Sequence, residues 1–112
     1  MQSEQYTYEI NAWLRTLDYL QQENIYMKNR IADVIQHTAS ADVLEKMEHY
    51  QNFFLNKDTI ITFLRRDIRE LEKHKNGELP SMMKTLRSDM EMMEKEFSYL
   101  KTDFNNYMQA VI

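Results

Sequence analysis

No cysteine occurs among the 112 residues, which excludes disulfides, thiolate nucleophiles and Cys-ligated metals. The chain has one glycine, Gly77, and one proline, Pro80. Both residue types depress helices in their interior, so a chain nearly free of them can be helical almost throughout. Several glycines are needed for a loop that cradles phosphate, so that chemistry is absent too. No apolar run approaches the roughly 20 residues that span a bilayer, so stable membrane insertion is not expected. Met1-Gln2-Ser3-Glu4-Gln5 lacks the basic start and apolar run of a signal peptide, and a soluble, cytoplasmic protein is the expectation. Basic residues are outnumbered, 14 against 18 acids, and the formal net charge of −4 argues against a nucleic-acid binder.

Against these absences stands a long periodic pattern. Leu79, Met83, Leu86, Met90, Met93, Phe97, Leu100, Phe104, Tyr107 and Val111 are spaced alternately four and three residues apart. That is the rhythm of helices packing side by side. An earlier segment carries it through Tyr6, Ile10, Trp13, Leu17, Leu20, Asn24, Met27, Ile31 and Val34, widened by Leu14 and Ile35. A middle segment repeats it with Val43, Met47, Tyr50, Phe54, Lys57, Ile61, Leu64, Ile68 and Leu71, flanked by Leu44, Phe53 and Ile60.

Two breaks separate the three segments. Asn76-Gly77 provides a helix C-terminus after Lys73, His74 and Lys75, and Pro80 suits the first turn of the next helix. The earlier break has neither Gly nor Pro. It is marked by the N-cap candidates Ser40 and Asp42, by the capping-box spacing of Asp42 and Glu45, and by a heptad phase that jumps by two. Short turns make neighbouring helices antiparallel. The expected fold is therefore all-α: one domain, an elongated antiparallel three-helix bundle with coiled-coil-like heptad packing and helices over roughly 3–37, 41–75 and 80–110. In length, helix count and the Trp13 of its first helix it resembles a spectrin-type repeat, and it departs from that pattern in having no Trp in the third helix. The likeness is one of architecture.

Two inner positions are polar, Asn24 and Lys57. With the first turn centred near residue 39, residue n of the first helix lies level with residue 78 − n of the second. Asn24 then stands beside Phe54, within a turn of Lys57. The expectation is a buried polar layer in which Asn24 fixes register and Lys57 snorkels outward, towards Glu23. A ligand or ion site in the bundle centre is the alternative.

Catalytic signatures are missing. Di-iron bundles use inward Glu-x-x-His pairs, and the residues three before His37, His49 and His74 are Val34, Lys46 and Leu71. Glu45 and Glu70 precede His49 and His74 by four, which reads as surface pairing rather than a metal site. No serine lies in a G-x-S-x-G elbow. The basic cluster of Arg65, Arg66, Arg69, Lys73, Lys75, Lys84 and Arg87 is interleaved with Asp67, Glu70, Glu72 and Glu78, as on a solvated, ion-paired face. The expectation is a protein without enzymatic activity, cofactor, metal or small-molecule substrate.

Apolar side chains off the inner stripes carry the functional expectation. Tyr19, Ile25 and Tyr26 in the first helix, Leu55 and Phe63 in the second, and Met92 and Tyr99 in the third fall at similar height along the rod. Clustered Tyr and Met favour interfaces. An interaction or scaffold module follows, homodimeric or docking a partner helix, with Tyr19, Tyr26, Phe63, Met92 and Tyr99 as the contact residues. The alternative is reversible binding of the amphipathic helices to a lipid surface.

Overall fold

A computed structural model describes residues 2–73 and 78–111. Three helices, α1 (Gln2–His37), α2 (Ala41–Leu71) and α3 (Leu79–Val111), run antiparallel in sequence order. The molecule is a rod of 57 × 19 × 17 Å. The 36 residues of α1, at about 1.5 Å each, account for nearly all of that length. Among the described residues no helix is long and apolar enough to cross a membrane.

Hydroxyl chemistry closes the first turn. Ser40 is the N-cap of α2: its backbone is extended (φ −78°, ψ 120°) and its Oγ accepts the Val43 amide proton at 3.3 Å. The Leu44 amide then bonds the Ser40 carbonyl at 3.0 Å and starts the helical ladder. Thr38 Oγ1 accepts the Ser40 N–H in turn. Asp42 is not the cap expected from its capping-box spacing, because Ser40 stands one position before the first helical residue. Asp42 sits inside the first turn, where its charge faces the helix N-terminus. No described residue has a positive φ, which is why this turn forms without glycine.

The end of α2 comes earlier than the sequence implied, at Leu71 rather than near residue 75. From there the chain tightens: the Glu72 amide bonds Arg69 O at 3.2 Å and the Lys73 amide bonds Glu70 O at 3.1 Å, contacts three residues apart that close the last turn. The expected cap at Asn76-Gly77, with His74 and Lys75, lies outside the described residues. On the far side, Pro80 occupies the first turn of α3, where an N–H has no acceptor anyway, and the Met82 amide bonds Glu78 O.

Each helix buries one stripe. Trp13, Leu17, Leu20, Met27 and Ile31 of α1 meet Met47, Tyr50, Phe54, Ile61, Leu64, Ile68 and Leu71 of α2, and Met83 through Phe104 of α3. Six of the nine methionines are in this core, where flexible thioethers fill the gaps between aromatic rings. The rings form one cluster: Phe54 lies edge-on to Phe97 and Phe104 at 6.2 and 5.8 Å, and Tyr50 to Phe104 at 5.1 Å. Two side chains depart from the expected stripe. Met108 is buried in place of Val111, because a helix of 3.6 residues per turn drifts off a 3.5-residue repeat over four heptads. Phe53, expected to widen the inner face, is 53 % exposed on the outer edge of α2.

Phe54 is fully buried at the meeting point of the rings. Phe54→Ala is expected to lower the unfolding free energy by about 3–5 kcal/mol, read as a shift of the urea midpoint. A loss below about 1 kcal/mol would mean that the aromatic cluster is not the centre of the core.

Candidate interaction surfaces

Three seams run the length of the rod, one between each pair of helices, and each is closed differently. The α1–α2 seam is bridged repeatedly. Asn24 Nδ2 donates to the Phe54 carbonyl at 2.8 Å and to Asp58, whose other oxygen accepts Lys28. Arg65 reaches across to both Asp18 and Gln21. Asp18, Gln21 and Lys28 lie on one edge of α1 together with the exposed Ile25, so polar bridges flank that apolar residue on both sides.

The parallel α1–α3 seam is bridged at three heights with a nearly constant offset of 75–78 residues. Arg87 Nε and Nη2 donate to the two Glu9 oxygens at 2.6 and 2.7 Å, a fork that fits a carboxylate. Lys101 donates to Glu23 at 3.0 Å and Arg30 to Asn105 at 2.7 Å. The Arg87 fork holds the Glu9 carboxyl below its ordinary value. The Lys101 ammonium, and after it the Tyr19 hydroxyl, does the same for Glu23. Between the first two bridges the seam opens into a groove of about 570 Å³. Ala12, Thr16 and Ser98 leave it wide, while Leu20 and Phe97 form its floor.

The α2–α3 seam differs. Two bridges cross its upper half: Tyr50 donates its hydroxyl to Asp103 at 2.9 Å, and Lys57 Nζ pairs with Glu96 at 2.9 Å. Burial first, and then the Asp103 carboxylate, pushes the Tyr50 phenol up to about 12. Below Lys57, between Ile60 and Asp67, no polar bridge among the described residues crosses. A shallow groove of about 240 Å³ takes its place, lined by Ile60, Phe63 and Met92 with Asp67 and Asp89. Above it a second groove is lined by Phe53, Tyr99 and Leu100 around the Lys57–Glu96 pair.

Asn24 and Lys57 are both buried, but they leave the core through different seams. Lys57 turns to Glu96 on α3, not to Glu23 as expected, because Glu23 is already held by Lys101 and by the Tyr19 hydroxyl at 2.8 Å. Asn24 stays inside, with two donor contacts and an Oδ1 that no group satisfies. Among the described residues no set of three His, Asp or Glu side chains is placed to hold a metal ion.

Of the five expected contact residues, Phe63, Met92 and Tyr99 come together on the α2–α3 face, at 47, 58 and 68 % exposure. Tyr19 lines the α1–α3 groove instead, and Tyr26 stands beside the Arg30 guanidinium, 5.8 Å from its ring. The α2–α3 face gains Phe53, which the heptad pattern had assigned to the inner flank of α2, and the half-buried Ile60, which packs against the core as that pattern implied and also lines the groove. Their signal was the 53, 60, 63 spacing along one edge of the helix. The basic cluster is dispersed by folding: Arg65 and Arg87 are committed to α1, Lys73 pairs with Glu70, and Arg66 covers the Phe63 ring at 4.8 Å.

Two measurements probe these seams. Asn24→Leu is expected to raise stability by about 1 kcal/mol, because an unsatisfied buried carbonyl costs roughly 1–3 kcal/mol and the lost donor contacts offset part of that. A lower urea midpoint for this variant would show that the Asn24 contacts outweigh its orphaned oxygen. Glu9 and Glu23 have lowered folded-state values, so their contribution is complete above the ordinary carboxylate value of 4.5 and disappears as the pH falls through the folded values. Glu9→Gln with Glu23→Gln should flatten that acid limb in urea titrations between pH 3 and 6; an unchanged limb would place the acid sensitivity elsewhere.

Comparison with protein-family models, curated proteins and solved structures finds no match to this chain.

Proposed function

We propose that this protein is a non-enzymatic interaction or scaffold module whose docking face is the α2–α3 seam. The observation that carries the reading is the contrast between seams. Polar bridges cross α1–α2 and α1–α3 along much of their length, whereas Ile60, Phe63 and Met92 line the lower half of α2–α3 with no such bridge among the described residues. With Phe53 and Tyr99 above them, these side chains recur at 53, 60 and 63 on α2 and at 92 and 99 on α3, steps of seven and three residues that keep each set on one edge of its helix, where another helix can pack its own ridges. Large aromatic and Met side chains in such a groove are the kind that anchor interfaces. Tyr19 and Tyr26 lie off this face and take no part in it.

The test is a double substitution on the face and a control off it. Phe63→Glu with Tyr99→Lys should leave the helical circular dichroism unchanged. It should abolish both concentration-dependent association in light scattering and retention of any protein bound by the immobilised wild type. Tyr19→Lys should leave binding as it was. A wild-type chain that stays single at several hundred micromolar and retains no protein would overturn the reading, as would binding that survives the double substitution.

A further inference from the structure

The α2–α3 face has a charge order along its length that identifies what covers it. At one end Lys46 stands over the Tyr50 and Tyr107 rings, 5.7 Å from each centroid. Next come Phe53 and Tyr99, then the Lys57–Glu96 pair at 2.9 Å, then Ile60, Phe63 and Met92. At the other end Asp67 and Asp89 line the groove, and no cation among the described residues pairs with either. Lys46 precedes Lys57 by eleven residues and Asp67 follows it by ten. The face is therefore nearly balanced about the Lys57–Glu96 level: apolar side chains on both sides, Lys46 and the Tyr50-bonded Asp103 beyond one set and two carboxylates without a cation beyond the other.

Resting on the docking face proposed above, we propose that its occupant is a second copy of this chain, packed antiparallel about a two-fold axis at the level of Lys57 and Glu96. In that arrangement α2 lies on α2 of the second copy, and residue n comes level with residue 114 − n. Lys46 then falls within one residue of Asp67 of the second copy. Because Lys46 leans over Tyr107 of α3, it also lies near Asp89 of that copy. Phe53 and Tyr99 cover Ile60, Phe63 and Met92, and the reverse, so each apolar half fills the other. Asp89 comes level with Asp103 of the second copy. That encounter is offset by Lys46 and by the Tyr50 hydroxyl, which Asp103 already accepts.

Charge selects this orientation over the other two-fold choice. An axis along the rod would lay Asp67 and Asp89 of one copy on the same residues of the other, an acidic end against an acidic end, with the two Lys46 side chains likewise together. The area suffices as well. From Lys46 to Glu70 the strip is roughly 36 Å long at 1.5 Å per residue and as wide as the rod, 17–19 Å. Both copies together would cover roughly 1,300 Å², within the 1,200–2,000 Å² typical of stable interfaces. The product is a four-helix layer of two α2 and two α3 helices, with the α1 helices outside it.

The two-fold symmetry makes a charge-swap test possible. Sedimentation equilibrium of the wild type should give twice the mass of one chain. Lys46→Glu alone and Asp67→Lys alone should each weaken the dimer at least tenfold, by placing like charges across the axis. Mixing the two single variants should restore dimers, because each variant then meets its complement at both ends, and the Lys46→Glu/Asp67→Lys double variant should dimerise as the wild type does. No rescue in the mixture, or a dimer indifferent to both substitutions, overturns the antiparallel pairing. A single-chain wild-type mass overturns self-association; if binding of another protein through Phe63 and Tyr99 persists, the docking face itself stands. A dimer that survives Phe63→Glu with Tyr99→Lys forms elsewhere and removes both readings.

Discussion

Axial register between long helices is the constraint on which this structure depends. A heptad stripe of Leu, Ile and Met presents nearly the same surface after every seven residues, so apolar burial alone leaves α1 free to slip along α2 by a heptad, roughly 10 Å. Two features remove that freedom. The three-residue link closed by Thr38 and Ser40 fixes where α2 begins. Asn24, enclosed in the core, finds donors' partners only at the Phe54 carbonyl and Asp58. A slipped arrangement would bury that amide without them, and an unpartnered buried polar group is expensive. Asn24 thus stabilises one arrangement against its neighbours, even though its own Oδ1 stays unsatisfied.

Once α1 and α2 are in register, the third helix has little choice. α3 must lay its stripe over the groove that both offer, and the ionic contacts then fall where helix edges approach: Glu9 with Arg87, Glu23 with Lys101, Arg30 with Asn105. These contacts lie at the rim, where each ion pair is worth little by itself. Their effect is one of selection, because they consume the charges along two seams. The lower half of the third seam is left with apolar residues at its surface, and on that contrast the proposed docking face rests. The functional reading is in this sense a consequence of how the bundle closes.

Much of the architecture was legible from spacing. The a/d rhythm marks the three helices because buried side chains recur every 3.5–3.6 residues whatever they pack against. Ser40 and Pro80 place helix starts for reasons local to the backbone. The misreadings concern edges. Phe53 and Val111 sit at the margin of their stripes, where the small difference between 3.5 and 3.6 residues per turn decides between core and solvent. Asp42 has the spacing of a capping box, but the helix begins two residues too early to use it as a cap.

The sequence by itself determined the number of helices, which side of each is buried, and that Asn24 and Lys57 interrupt the apolar stripes, since all of these depend on periodicity within one segment. Only the tertiary structure decided that Lys57 leaves by the α3 side and Glu23 by way of Lys101. It alone brought Phe63, Met92 and Tyr99 onto one face while leaving Tyr19 in another groove. The physical reason is that periodicity fixes the azimuth of a side chain on its own helix. Which neighbour lies at that azimuth, and at what height, depends on how three helices are rotated and shifted against one another, and that is settled only when all three stripes are buried together.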